Sequence, residues 1–447
     1  MSLPLVSRLL PADTMAWCDG RAVSVAAFVA DVAHLRAALP AGRHVLNICG
    51  DRYRFLVGFA AAAVDGRISL LPSTRNADTV AHLRAFAPDA FCLCDADNDV
   101  ALPQMRFVAR DPRRTPAPLP IPRIDADRVV AQVFTSGSTG APVPHAKRWA
   151  ALVRGAGAEA ELLGLLDGAR HSLVGTVPPQ HMYGFESTAL LALHGGVAAS
   201  HAAPLYPADI AAALHQVPAP RMLVTSPVHL RALLDSALPL PPLHRVLSAT
   251  APLMPDLAQR AEALLRAPLL EIYGSTETGQ VALRRPARDS AWTLFPGITL
   301  QPDARGLARI SGAHGDAPQV LHDRVRVVDA RRFELLGRSA DMVNIAGKRS
   351  SLEHLNHQLR SIPGVRDGAF IVPEQPEGSA VRRLMALVVA PELTPQALRA
   401  ALRERIDAAF MPRPLLFVDA LPRNATGKLP LQALRALARS RLDADAH

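Results

Sequence analysis

Thr135, Ser136, Gly137, Ser138, Thr139 and Gly140 form an unbroken run of hydroxyls and glycines. Hydroxyls supply hydrogen-bond donors, and glycines let backbone N–H groups approach a ligand with no Cβ in the way. The apolar stretch from Arg128 to Phe134 reads as a buried strand, and a helical pattern resumes near Lys147. A loop between strand and helix is suited to an anion such as phosphate. It is not a Walker loop, because Gly-x-x-x-x-Gly-Lys-Ser/Thr does not fit these residues. By itself the run is most simply a solvated loop, so its meaning depends on what accompanies it.

Lysine occurs at Lys147, Lys348 and Lys428, while Lys and Arg together number 49, so arginine holds almost every other basic position. A compact ammonium on a flexible stem does what a planar guanidinium cannot. The three lysines therefore join the hydroxyl loop as candidates for chemistry.

The elements that must position these residues follow a βα rhythm. Helical stretches such as Val23 to Leu39 alternate with apolar runs at His44 to Cys49, Ile68 to Leu71 and Ala90 to Cys94. Asp111 to Arg123 is proline-rich and reads as an extended connection. Beyond the hydroxyl loop, strands are expected at Ser172 to Val177, Arg221 to Thr225, Arg245 to Leu247 and Leu269 to Tyr273. Helices are expected at Phe185 to Leu193, Val228 to Leu234 and Pro255 to Leu265. This alternation predicts an α/β domain with parallel-rich sheets covered by helices on both faces. Ligands collect at the carboxyl ends of such strands. There the chain carries VPPQHMYGF, TSP, SATAPL and IYGSTETG. After Gly337 to Asp341 the rhythm changes. A helix is expected at Leu352 to Ile362 and strands at Ala369 to Val372, Leu384 to Val389 and Leu415 to Val418, with a further helix at Thr394 to Ala408. These predict a small α+β domain.

At 447 residues the chain is long enough for two domains, and 49% hydrophobic content supplies their cores. The net charge of +9 favours an acidic partner, but the arginines are scattered without aromatic interleaving, so a solvated face is expected rather than a nucleic-acid site. Cys18, Cys49, Cys92 and Cys94 lack zinc-ligand spacing and read as free thiols of a reducing compartment. The N-terminal stretch lacks the apolar core of a signal peptide, and no long uncharged apolar segment predicts a membrane span. The expected location is the cytoplasm.

Set side by side, these stretches resemble the adenylate-forming superfamily of acyl-CoA synthetases, aryl-CoA ligases, nonribosomal-peptide adenylation domains and luciferases. The likeness runs from Thr135 to Lys428. Thr135 to Pro142 matches the family phosphate loop, and Pro178 to Gly184 the turn beside the acyl site, with His181 in it. Ser248, Ala249 and Thr250 open the segment like the adenine-side loop, and Tyr273, Gly274, Ser275, Thr276 and Glu277 match YG-x-[ST]-E. Asp323 resembles the ribose-binding aspartate, Gly337-Arg338 the start of the hinge, and Asn424 to Lys428 the terminal N-x-[ST]-GK loop.

The resemblance implies a large domain at 1–337, a hinge at 338–341 and a mobile lid domain at 342–447. It implies that ATP and Mg2+ are used, with Glu277 holding the metal, Thr276 near the α-phosphate, and Arg338 on ribose or phosphate. Lys428 would bridge the acyl carboxylate and the nucleotide, and His181 would face the acyl pocket. Attack of a carboxylate on an already anionic α-phosphate needs such cations and fixed donors. Lid rotation would then withdraw Lys428 and present the Gly347-Lys348 face to a phosphopantetheine thiol of coenzyme A or an acyl carrier protein. The build resembles short ligases that load aromatic, hydroxybenzoate-like acids for pigment or polyketide synthesis. Alternatives are a medium-chain fatty acyl-CoA synthetase, a luciferase-like oxygenase, or a non-catalytic nucleotide-binding protein on the same fold. One departure stands out: Pro142 is followed by Val143 where the family places lysine, leaving Lys147, with His145 second, to reach the β/γ-phosphates.

Overall fold

The computed structural model describes the chain except residues 73, 112–118, 137–141, 304–306, 313–317, 339–341, 346–347, 374–382, 425–426 and 446–447. The chain divides into two compact units. The first comprises Met1–Thr299 and Ile310–Gln319, the second Leu300–Arg309 and Val320–His447.

The first unit is built on two sheets. One has the neighbour order Pro142–Arg148, Val129–Ser136, Ile68–Leu71, His44–Asn47, Phe91–Cys94, Gln104–Arg106. All its pairs are parallel except the first, an antiparallel hairpin. The other has a parallel centre of Leu269–Ser275, Arg245–Ser248, Arg221–Thr225, Ser172–Gly175, Ala198–Ser200 and Thr14–Cys18. Antiparallel Gly279–Arg284 and Trp292–Leu294 extend it beyond Leu269–Ser275. The central strands are buried on both faces, as the apolar runs require.

Helices begin where the sequence offers caps. Ser24 accepts from Ala27 N–H at 3.1 Å to start Val25–Ala38, and Asp51 accepts from Arg54 N–H at 2.9 Å to start Arg52–Val64. Ser226 with Pro227 opens Pro227–Asp235, and Tyr206 with Pro207 opens Pro207–His215. Helix Arg52–Val64 presents Phe55 and Phe59 to the core, where Phe59 meets Phe185 edge-on at 4.9 Å between ring centres.

Two expectations are corrected. The hydroxyl loop joins strand to strand, Val129–Ser136 to Pro142–Arg148, and helix Trp149–Leu162 starts only afterwards. The second strand hides its period because the face shared by Val143, His145 and Lys147 turns inward with two polar residues, and its one apolar member, Val143, is exposed. IYGSTETG is likewise the turn of an antiparallel hairpin rather than the end of a βα unit.

The second unit contains the antiparallel pair Gln319–Val327 and Arg332–Arg338, and the hairpin Met342–Ile345 with Lys348–Ser351. It also holds the sheet Asp367–Ile371, Met385–Val389, Leu415–Phe417. Helices Leu352–Arg360 and Pro395–Arg403 pack Leu355, Leu359, Leu398 and Leu402 with Phe370 and Val388. Each fully buried leucine contributes on the order of 2 kcal/mol by removal from water. The expected hinge pivot at 339–341 lies outside the described residues. No helix among the described residues is long and apolar enough to cross a membrane.

Candidate functional site

In the first unit the hydroxyl-loop hairpin and the YGSTETG turn meet through side chains. Strand alternation points His145 and Lys147 to the same face. Thr135 Oγ1 and His145 Nε2 are hydrogen-bonded at 2.9 Å, and His145 Nε2 lies 3.7 Å from Glu277 Oε1. Lys147 is 1% exposed, and its ammonium donates to the Thr276 carbonyl at 2.5 Å and the Glu277 carbonyl at 3.4 Å. The lysine therefore fastens the turn that carries Thr276 and Glu277.

The electrostatics follow from burial. Desolvation holds the Lys147 ammonium below its ordinary value, with Glu186 and Glu277 pulling the other way. Desolvation likewise lowers His145 against Glu277, so a neutral ring faces the carboxylate at neutral pH. Burial raises Glu277, but its own N–H, the Ser275 hydroxyl, His145 and Lys147 outweigh it and hold the carboxyl below its usual value. Glu277 is thus an ionised, half-exposed oxygen donor, of the hard type that Mg2+ accepts.

The turn is fixed internally. Ser275 N–H donates to Thr278 Oγ1 at 3.1 Å, and Thr278 N–H donates to Ser275 Oγ at 3.2 Å. Gly279 sits at φ +67°, and a Cβ on Gly274 would come within 2.3 Å of the Gly279 carbonyl oxygen. Tyr273 packs on Trp292 at 5.5 Å between ring centres.

The neighbouring strands end in the other expected segments. Ser248 closes Arg245–Ser248 with its buried hydroxyl lacking a hydrogen-bond partner among the described residues. Ala249 is buried, and Thr250 adopts φ +81°, a strained conformation for a β-branched residue. Glu271 holds this loop by accepting from Leu253 N–H at 2.8 Å, while Arg284 pairs with its other oxygen at 2.7 Å. His181 precedes the short helix Met182–Gly184, which continues into a π-helix at Phe185–Leu190, a geometry frequent at functional sites.

Gly137, Ser138, Thr139 and Gly140 lie outside the described residues, as does the side chain of Ser136. In the second unit, Asp323 and Arg338 are directly opposed across the antiparallel pair. Lys348 opens the second strand of its hairpin opposite Ile345, and Gly347 lies outside the described residues. Lys428 is exposed at the end of a closed turn: Lys428 N–H donates to Asn424 Oδ1 and Asn424 N–H to the Lys428 carbonyl, both at 2.9 Å. Arg423 braces this turn through the Gly427 carbonyl at 2.6 Å and grips Asp367 with two bonds of 2.8 and 2.9 Å.

Sequence reasoning missed three groups. Glu186, on the π-helix, acts on Lys147 through its charge. Gln280, just past the turn, donates to Ser187 Oγ at 2.9 Å. Thr176, Thr225 and His229 form a polar network at the strand ends, with Thr176 Oγ1 at 2.9 Å and 3.0 Å from the other two. Only the last left a signal, in the polar residues that close two apolar strands.

Comparison with known proteins gives a consistent picture. The family model "AMP-binding enzyme" matches residues 32–332, and "AMP-binding enzyme C-terminal domain" matches 355–428. A 4-coumarate–CoA ligase of Rhodobacter capsulatus is 34% identical over 302 residues, spanning 66% of this chain and 73% of its own. A 4-coumarate–CoA ligase of Halorhodospira halophila is 37% identical over 314 residues, with the same two coverages of 66% and 73%. ATP-bound MatB from Rhodopseudomonas palustris superposes with a TM-score of 0.80 at 19% identity, covering 96% of each chain, which speaks for the fold.

Proposed function

Because this chain belongs to the AMP-binding enzyme family and is an ATP-using, AMP-forming acid–thiol ligase, we propose that its acid is aromatic and its acceptor a phosphopantetheine thiol. The observation that carries the site assignment is the fastening of Thr276 and Glu277 by Lys147 beside the Thr135–His145 pair. It joins two of the motif segments at one place.

In the first half-reaction the acid's carboxylate attacks the α-phosphate of ATP and pyrophosphate leaves, giving acyl-AMP. Lys428 supplies the ammonium that offsets the repulsion between carboxylate and phosphate. Thr276 presents its hydroxyl to the α-phosphate, and Glu277 is the residue that would hold Mg2+, whose charge when bound screens the phosphates. Asp323 accepts from the ribose hydroxyls with Arg338 beside it, and Ser248 to Thr250 flank the base. His181 faces the acyl group. In the second half-reaction the thiol attacks the acyl carbonyl and AMP leaves, with Gly347 and Lys348 bordering the thiol's approach.

Two of the relatives are named for an aromatic acid, which supports the aromatic assignment. The net charge of +9 favours an acidic carrier protein as owner of the thiol. A second reading, coenzyme A itself, is favoured by the names of those relatives. Acid-dependent exchange of labelled pyrophosphate into ATP, run over cinnamates, benzoates and medium-chain fatty acids, tests the substrate class. Exchange with the aromatic acids is expected; exchange confined to fatty acids would remove the assignment.

A further inference from the structure

At the amino-terminal ends of the parallel strands, the edge of the sheet remote from the motif turns, a second polar cluster stands alone. His171 immediately precedes Ser172–Gly175, and His244 immediately precedes Arg245–Ser248. Their rings approach to 4.7 Å between centres. Asp167, four residues before His171, brings its carboxylate to them: Oδ1 pairs with His171 Nε2 at 3.0 Å and accepts from Ala169 N–H at 2.9 Å. One ligand atom from each of Asp167, His171 and His244 lies within 4.8 Å of the other two.

The His171 side chain is 0% exposed and turns its Nε2 to Asp167, while its Nδ1, on the other side of the ring, has no hydrogen-bond partner among the described residues. The Nε2 of His244 is also buried, with no hydrogen-bond partner among the described residues. A buried imidazole nitrogen left unpaired costs free energy and calls for a missing partner. An ion between Asp167 and the adjacent rings would be met by His171 Nε2, the nitrogen on the carboxylate's side, and would satisfy the orphaned Nε2 of His244.

We propose that Asp167, His171 and His244 form a zinc-type divalent metal site with one position left to water, tying the loop before Ser172 to the segment before Arg245. Two imidazoles and a carboxylate form a ligand set suited to zinc rather than to Mg2+ or Ca2+, which prefer all-oxygen shells. Ligand atoms each about 2 Å from a tetrahedral ion lie about 3.3 Å apart. Those of Asp167 and His171 already stand 3.0 Å apart. The widest separation in the group, up to 4.8 Å, closes by about 1.5 Å through side-chain rotation. Of the nearby cations, Arg170 is engaged by Asp13 at 2.8 Å, and Arg245 acts on Asp167 only through its charge. The site is structural and separate from the ligase chemistry.

The test uses untagged, full-length protein stripped with chelator, incubated with ZnCl2 and dialysed, then assayed by elemental mass spectrometry. About one zinc per chain is expected, with a higher melting temperature than the stripped protein. Asp167→Asn and His244→Gln, at partly exposed positions chosen so that the fold survives, should each weaken uptake about ten-fold or more. Their circular dichroism and ligase turnover should match wild type. Cobalt(II) loaded in place of zinc gives an independent reading on the unaltered chain: intense visible bands of a four-coordinate ion are expected. Uptake far below one equivalent, uptake unchanged in both variants, or a weak six-coordinate cobalt spectrum would each overturn the site.

Discussion

Lys147 shows how one side chain can be singled out by composition and still be misjudged in place. Its rarity among 49 basic residues marks it, but nothing in the sequence says that it is buried or that its ammonium ends on two main-chain carbonyls. Lys147→Met keeps the stem and removes the donor, leaving those carbonyls unsatisfied. The expected cost is about 2 kcal/mol of stability, read by urea melts. The KM for ATP should rise with it, because Thr276 and Glu277 lose their anchor. Unchanged melts and KM would show that the lysine fastens nothing. Glu277→Gln keeps the shape and removes the charge. The Mg2+ concentration for half-maximal exchange should rise about ten-fold. With the native carboxyl held below its usual value, protonation of Glu277 should limit activity only on the acid side of pH 4.5.

The elements that were legible are those whose pattern matched their period. Helix Pro255–Leu265 and strands Ile68–Leu71 and Arg221–Thr225 fall where proline, caps and apolar runs place them. Pro142–Arg148 was not legible, because the face that turns inward carries the polar His145 and Lys147, and Val143, on that same face, is exposed. Gly279–Arg284 was not, because a strand returning antiparallel after a βα series looks in sequence like its next member. The opposition of Asp323 and Arg338 depends on a cross-strand register that no local pattern encodes. The hairpin that bears Glu277 makes its own prediction. Gly274→Ala forces a Cβ to within 2.3 Å of a backbone oxygen, so exchange activity should fall at least about a hundred-fold as the turn opens. Gly168, at φ +85° with nothing within 4 Å, is the control. Gly168→Ala should cost only about 1 kcal/mol in a denaturant melt and spare activity. Equal losses at both positions would argue that the tight turn is unimportant.

For the molecule as a whole, stability should carry the mark of a buried acid. Glu159 is fully buried in helix Trp149–Leu162, and desolvation pushes its carboxyl up to about 8 against Ser187 and Gln280. Between pH 4.5 and 8 the unfolded chain gives up this proton while the folded chain keeps it. Stability therefore falls with rising pH, by up to about 1.4 kcal/mol per unit, and levels off above that range. Glu159→Gln should flatten the slope in pH-dependent melts and raise stability near pH 8; an unaltered slope would place the carboxyl elsewhere on the titration scale.

The two units also divide the chemistry. Lys428 closes a turn in the second unit, braced by Arg423 and Asp367, while Thr276 and Glu277 belong to the first. If one ammonium serves only adenylate formation, the half-reactions must separate when it is removed. The decisive measurement is mass spectrometry of the products of wild type and Lys428→Ala in two mixtures. One contains ATP with an aromatic acid, the other pre-made acyl-adenylate with coenzyme A or holo-carrier protein. The account predicts that the variant loses acyl-AMP formation by about 10²-fold or more yet forms thioester from the supplied adenylate near the wild-type rate. Adenylate formation at the wild-type rate, or equal loss of both half-reactions, would contradict it.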